Sequence, residues 1–484
     1  MTMIVRFFLL MLLLVGGIGC DFNSKKSPLN VIVLVVDDMG YGDIAAHGNP
    51  LIKTPNFDRL HNQSARFVNF AVSPTCAPTR AALMTGKHEF LSGVTHTIDP
   101  MRNMDTSSVT LGSLFQEKGY ITGLFGKWHL GQSENYGPWF RGFDETLTIP
   151  GDKQDTHFDP VFLKNQVKIK YEGYREDILF NEALNFISGN RDKPFFCYLA
   201  TYSPHAPNVV PKTYSEPYEG YHIPELPDGV FRPEFFGQIA NIDKNLGRLK
   251  AYLESSGLDD NTLLIVMNDN GGTWGVDTYN AGMRGIKGTP WYGSTRVYSF
   301  WQWGKNLPPG ERQQMSGHID VLPTLADVCG LGISDKLLHQ LEGNSLWPVL
   351  ENPGANLNKD RMQIHHLGRW DIPENWADHK YAGCAIRSEN YILVRNEPCE
   401  DENCNTCRLA RKRGLDQVKA LYTSNNEHYK LTSPGKWELF DIKSDLYQTS
   451  NIADENPETV KKMSEHYEQW WAKVETRMKE RLVE

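Results

Sequence analysis

Apolar and polar positions divide the chain into two textures. Continuous apolar runs of strand length, rich in β-branched and aromatic residues, occupy 31–36, 121–125, 195–201, 263–267 and 297–303. A run without polar alternation suits a strand covered on both faces. Between these runs, 54–66, 110–118, 175–187 and 234–255 carry apolar residues at helical spacing, which predicts helices. Strand and helix in alternation predict an α/β fold, a large mixed and mainly parallel sheet flanked by helices. Past about residue 353 the texture changes. There 385–395 and 437–441 read as strands of a small antiparallel sheet and 457–483 as a terminal amphipathic helix. Glu351-Asn352-Pro353-Gly354 marks the expected division between a larger unit, 30–352, and a C-terminal unit, 353–484.

Composition narrows the picture. The 484 residues exceed what one core usually fills, and 40% hydrophobic against 23% charged residues describes a globular chain. A formal net charge of -9 argues against a nucleic-acid partner held by phosphate neutralisation. No repeat of twenty to fifty residues is present, so solenoids and propellers drop out. Arg6, an apolar run over 7–15 and Gly17-Ile18-Gly19 read as a signal peptide over 1–19. That run is too short to cross a bilayer. Cys20 follows directly and reads as a lipid acceptor, with 20–29 as a linker, although Gly17 stands where such signals usually carry leucine. The mature chain is therefore expected outside the cytosol, in the periplasm or at the cell surface, attached to the membrane by lipid at Cys20.

In open α/β sheets ligands collect beyond the carboxyl ends of the strands. Here four runs end in polar groups: Asp37-Asp38, then Lys127 and His129, then His205, then Asp269-Asn270. An acidic pair after a strand is often a helix cap, and Asn-Gly is often a turn. Four such ends together outweigh those readings and predict a site. Asp37, Asp38, Asp269 and Asn270 offer only oxygen, which suits a hard divalent ion, calcium before magnesium.

The remaining element is Cys76-Ala77-Pro78-Thr79-Arg80, continuing to Thr85-Gly86-Lys87. An exported cysteine at a helix start is normally paired or oxidised, so this one requires a reason. The C-x-P-x-R run resembles the signature of the sulfatase family, formylglycine-dependent members of the alkaline phosphatase superfamily. The likeness extends to Gly126-Lys127-Trp128-His129, Ser203-Pro204-His205, Asn268-Asp269-Asn270-Gly271, Gly285-Ile286-Lys287-Gly288 and Trp437-Glu438-Leu439-Phe440-Asp441. It implies an alkaline-phosphatase-like fold, a formylglycine made from Cys76 by a formylglycine-generating or anaerobic sulfatase-maturing enzyme, and a calcium ion held by Asp37, Asp38, Asp269, Asn270 and the oxygen of residue 76. It implies that Arg80, Lys127 and His129 hold the hydrated aldehyde, and that His205 and Lys287 hold sulfate. The substrate would be a sulfated carbohydrate or an aryl sulfate. We assign His205 as the acid that protonates the leaving alcohol and His129 as the base that lets the aldehyde re-form. Thr79 stands where serine is commoner, and Tyr292-Gly293-Ser294 replaces a frequent Glu-Gly-Gly, which alters the pocket wall.

Other signals are weaker. His96, His365, His366 and Arg369 are candidates for substrate contacts, against a reading as packing or surface polarity. Cys384, Cys399, Cys404 and Cys407 predict one or two disulfides rather than a metal knuckle, and Cys197 and Cys329 predict buried thiols. Arg408, Arg411, Lys412 and Arg413 read as a solvated helix face, with the edge of a polyanion cleft as the alternative. Two rival functions remain: a phosphodiesterase or phosphonate hydrolase of the same superfamily, and a non-catalytic glycan-binding lipoprotein.

Overall fold

The computed structural model describes residues 28–482 apart from 134, 154–155, 222–230, 358–359, 370–372 and 397–435. The expected signal peptide, Cys20, Cys399, Cys404, Cys407 and the Arg408 to Arg413 run lie outside the described residues.

The buried apolar runs form the middle of a ten-stranded sheet. Asn30–Val36 lies between Phe195–Ala200 and Thr262–Asn268, parallel to both, and Ile121–Gly126 extends the parallel set beyond Phe195–Ala200. Glu145–Thr148 continues in parallel, and the strands outside it, Val161–Lys164 and Val167–Lys170, pair antiparallel. Alternation along Asn30–Val36 explains why the run is apolar throughout. Val31, Val33 and Val35 face a core completed by the helices Cys76–Thr85, Leu111–Glu117 and Val321–Cys329. Ile32, Leu34 and Val36 face the opposite core, under Pro55–Gln63, Arg175–Gly189 and Pro233–Ser255. The mainly parallel sheet covered on two faces is as expected.

Two expected strands divide. The 297–303 run splits because Tyr298 N–H turns aside to donate to Asn268 Oδ1 at 3.1 Å. Arg296–Val297 joins a three-stranded sheet, whereas Ser299–Gln302 stays in the large one. The 385–395 run is a hairpin, Ala382–Arg387 and Tyr391–Asn396, turned where Ser388 and Tyr391 exchange backbone and side-chain hydrogen bonds. These strands, with Gln363–His366 and Glu438–Asp441, form the small antiparallel sheet. On one face of it the terminal helix Pro457–Arg481 packs Met463, Tyr467, Trp470, Trp471 and Val474. On the other face Ala385, Ile392, Val394 and Phe440 support Met283, Trp291 and Tyr292, the segment that carries Lys287. Cys197 is buried as expected; Cys329 is partly exposed, because it ends its helix just before the left-handed Gly330. Among the described residues no helix is long and apolar enough to cross a membrane.

Candidate active site

Register brings the strand ends together. Val35 lies opposite Ala200, and Val36 opposite Asn268. The ladder runs on past the strands, with Asp269 N–H donating to the Val36 carbonyl (3.2 Å) and Lys127 N–H to the Ala200 carbonyl (2.9 Å). Gly126 makes the second contact accessible: its φ is +109°, and a Cβ there would stand 1.8 Å from the Ala200 oxygen, so no side chain fits. Asp37 N–H is held by Thr201 Oγ1 at 3.2 Å.

Cys76 opens a helix in which every residue is buried and which ends at Gly86, φ +67°. Its side chain therefore stands at the positive end of a helix dipole. The loop leading in is pinned by Gly288 N–H on the Pro74 carbonyl (2.9 Å) and by His318 Nε2 against Ser73 Oγ (2.9 Å).

Around the thiol the charges pair across strands. Lys127 Nζ lies 2.6 Å from Asp37 Oδ2, and Arg80 directs Nε and Nη2 to Asp269 Oδ2 at 3.1 and 2.7 Å while Nη1 donates to the Lys127 carbonyl. Lys287 Nζ lies 2.5 Å from Asp38 Oδ1, and His205 Nε2 lies 3.7 Å from Asp38 Oδ2. Burial alone would raise the Asp38 pKa, but Lys287 and, behind it, Lys127 outweigh it and hold the carboxyl below its usual range. Asp269 moves the other way, raised by burial and by Asp37 against the pull of Arg80. Burial likewise raises the Cys76 thiol, against Lys127 and Lys287.

The same oxygens fit a cation. Asp37, Cys76 and Asp269 present ligand atoms that lie within 4.8 Å of one another. Asp37 Oδ1 and Asn270 Oδ1 are buried with no hydrogen-bond partner, although buried acceptors are nearly always satisfied. Asn270 Nδ2 donates to Asp38 Oδ1 at 3.1 Å, which keeps its amide against the acidic pair. Orphaned oxygens beside carboxylates make a donor set for a hard divalent ion.

The two histidines are fixed in different tautomers. His129 Nε2 lies 3.0 Å from the Thr97 carbonyl. A carbonyl only accepts, so Nε2 carries the proton and Nδ1 is left as an acceptor, 3.3 Å from Cys76 Sγ. Burial, then Lys127, Arg102 and Arg80, pushes the His129 pKa well below the usual value, so the ring is neutral. In His205, Nδ1 lies 2.6 Å from the Ala206 carbonyl and carries the proton, leaving Nε2 toward Asp38 as a lone pair. Burial, aided by Lys287 and Lys127 and opposed by Asp38, pushes its pKa down to about 3.

The structure thus brings Asp37, Asp38, Cys76, Arg80, Lys127, His129, His205, Asp269, Asn270 and Lys287 into one linked set. It separates the four candidate substrate contacts into two pairs. His96 adjoins Thr97 and is half-buried, and Arg369 donates its N–H to the Thr95 carbonyl while its guanidinium stands beside Gly288. His365 and His366 are buried in Gln363–His366. His366 Nδ1 accepts from Gly368 N–H at 2.9 Å and the ring stacks on Trp471; the titratable neighbours of His365 are Arg387, His318, Glu89 and His88. Sequence reasoning missed Thr97, Arg102, Asp152 and Thr201. Asp152 Oδ2 accepts the His129 N–H at 3.1 Å and holds that residue at φ +63°, and Arg102 braces Asp152 at 3.4 Å. Thr201 closes the 195–201 run and reads there as part of the strand; the other three follow no apolar run in a telling pattern.

Comparison with known proteins agrees with this geometry. The family model described as Sulfatase matches residues 29–331. The chain is similar to the uncharacterized sulfatase YdeN of Escherichia coli (strain K12), 26% identical over 92% of this chain and 85% of that protein. It is also similar to human N-acetylgalactosamine-6-sulfatase, 28% identical over 79% of each. Among solved structures, the crystal structure of Ps i-CgsB superposes with a TM-score of 0.75 at 26% identity, covering 92% of this chain and 93% of that one. The phosphonate monoester hydrolase of Agrobacterium radiobacter, at 18% identity and a TM-score of 0.63, shares the fold. A family model spanning more than half of the chain, matched over the residues that build this site, means that the chain belongs to the sulfatase family of sulfuric ester hydrolases.

Proposed function

We propose that this chain removes sulfate from a sulfated carbohydrate, with residue 76 acting as formylglycine and one calcium ion bound by Asp37, Asp38, Asp269, Asn270 and the oxygen of residue 76. The observation that carries the reading is the pair of orphaned buried oxygens on Asp37 and Asn270 beside Cys76. The carbohydrate is supported by relatives: one is named N-acetylgalactosamine-6-sulfatase, and Ps i-CgsB has been crystallised in complex with k-i-k-neocarrahexaose. Conversion of Cys76 needs a maturation enzyme, and the leader-like residues 1–19 followed by Cys20 support a mature protein outside the cytosol on a lipid anchor.

A sulfate monoester is an anion that repels nucleophiles, so positive charge must surround sulfur. Bound calcium would draw charge from the sulfuryl oxygens and make a hydroxyl of the hydrated aldehyde acidic enough to attack. Arg80, Lys127 and Lys287 supply the fixed positive charge in a site without bulk water. His129, kept neutral with Nδ1 facing residue 76, accepts the proton of the second hydroxyl as the aldehyde re-forms and sulfate leaves. His205 protonates the leaving alkoxide; its Nε2 has no proton in the free site, so it takes one from solvent before the alcohol departs. His96, next to Thr97, and Arg369, whose guanidinium stands beside Gly288, are the two candidate substrate contacts nearest the site.

The test is sulfate release from a panel of sulfated monosaccharides, oligosaccharides and aryl sulfates, with peptide mass spectrometry of residue 76. Activity accompanied by the aldehyde, and lost in Cys76→Ala, is expected. Unmodified cysteine in fully active enzyme, or a preference for matched phosphate esters, would overturn the reading.

A further inference from the structure

The last turns of the terminal helix do more than cover the small sheet. Arg477 places Nη2 2.8 Å and Nε 3.1 Å from Asp105 Oδ2. Arg481 places Nε 3.8 Å from Asp105 Oδ1 and donates from Nη2 to the Asn103 carbonyl at 3.0 Å. The Asp105 side chain is only 9% exposed, so the contact is shielded and stronger than a surface pair. Gly93 makes space for it: at φ +84° a Cβ would stand 2.3 Å from Asp105 Oδ1 and 2.7 Å from Arg481 Nη1.

Asp105 is the foot of a closed loop. Its N–H donates to the Ser92 carbonyl, Thr95 N–H to Met101 and Arg102 N–H to Ile98, each at 2.9 Å, and Arg102 grips Asp99 with two nitrogens. Within this loop lies Thr97, whose carbonyl sets the proton on His129. The other support of His129, Asp152 on its backbone N–H, stands outside the loop, although Arg102 of the loop braces it at 3.4 Å.

We propose that Arg477 and Arg481 are positioning residues for His129: through Asp105 they hold the loop that presents the Thr97 carbonyl to Nε2, so that Nδ1 stays free to accept a proton at residue 76. This rests on the role of His129 given above. When the clamp is released, His129 stays in place on Asp152, but its proton also occupies Nδ1, and that tautomer cannot act as the base. The groups assigned to the first transfer lie outside the loop, so that step is spared; the release of sulfate slows.

The test uses full-length mature enzyme and an activated aryl sulfate, in rapid-quench experiments on Arg477→Ala/Arg481→Ala and on Asp105→Asn, a near-isosteric change. The expected result is an unchanged rate for the first turnover at saturating substrate and a steady-state KM that falls together with kcat. The fraction of enzyme retaining a sulfuryl group on residue 76 in steady state should rise, with release slowed about fivefold, the worth of one neutral hydrogen bond. Arg477→Lys, which keeps an ion pair, should restore release. If the double variant fails to fold, Asp105→Asn alone decides. Unchanged occupancy of residue 76, or equal losses in first turnover and release, overturns the proposal. His129→Ala is the separate control: if it retains no sulfuryl group, the assigned role of His129 fails instead.

Discussion

In the proposed reaction each of the two histidines offers one nitrogen because a carbonyl holds the proton on the other: Thr97 for His129, Ala206 for His205. Their roles separate by leaving group. His205→Ala should lower turnover of sugar sulfates by about a hundredfold or more, the usual weight of general acid catalysis. An aryl sulfate, whose phenolate departs unaided, should lose far less; equal losses on both substrates would remove His205 as the acid. Asp43 supplies a test away from the chemistry. It is buried, its Oδ2 accepts the Gly40 N–H at 2.7 Å, its Oδ1 has no partner, and burial raises its pKa from 3.8 to about 7. A carboxyl with its folded pKa above its unfolded one binds an extra proton in the native state. Its contribution to stability is complete below pH 3.8 and is lost as pH rises through about 7. Asp43→Asn keeps the acceptor for Gly40 and cannot ionise. It should therefore gain stability over the parent as pH rises from 5 to 8, measured by urea unfolding; a difference that does not change with pH would refute the shift.

At the scale of elements, the site depends on strands that stop at the same level and on a backbone free to cross over them. Gly126 is the tightest of these crossings. Gly126→Ala would drive a Cβ into the Ala200 carbonyl at a left-handed φ, costing about 3 kcal/mol or more. Because Lys127 is the next residue, activity should fall together with the unfolding midpoint; a variant of parental stability would show that the crossing relaxes freely. The element-scale reading from sequence was sound where one run formed one strand, as at Asn30–Val36 and Phe195–Ala200. It merged two strands where the break came from one hydrogen bond, Tyr298 to Asn268, or from a tight polar turn at Ser388, since neither event interrupts the apolar pattern strongly.

Over the whole molecule, the buried carboxylates are a cost that a bound cation would offset. Asp37 and Asp269 are fully buried and share the same few ångströms. An ion bound only by the folded state at a hundred times its dissociation constant adds about 2.7 kcal/mol. Chelation should therefore lower the melting temperature, and added calcium should restore it. Asp37→Ala should bind no calcium by elemental analysis and should show no calcium-dependent shift; full occupancy in that variant would refute the ligand set.

The amino-acid sequence by itself determined the α/β class, the catalytic and metal-binding candidates at four strand ends, and the place of Cys76 at the start of a helix. These are local properties, a polar group next to an apolar run or a fixed spacing, and they persist however the chain packs. Only the tertiary structure decided that His365 and His366 are enclosed by the small sheet, that Asp152 and Thr97 orient His129, and that Arg477 and Arg481 reach the loop of Thr97. Asp105 and Arg477 are separated by 372 positions, and the pattern around either one marks only a solvated charge. Which charges meet, and which ring nitrogen keeps its proton, depends on how two sheets and a helix exclude water from the same small volume.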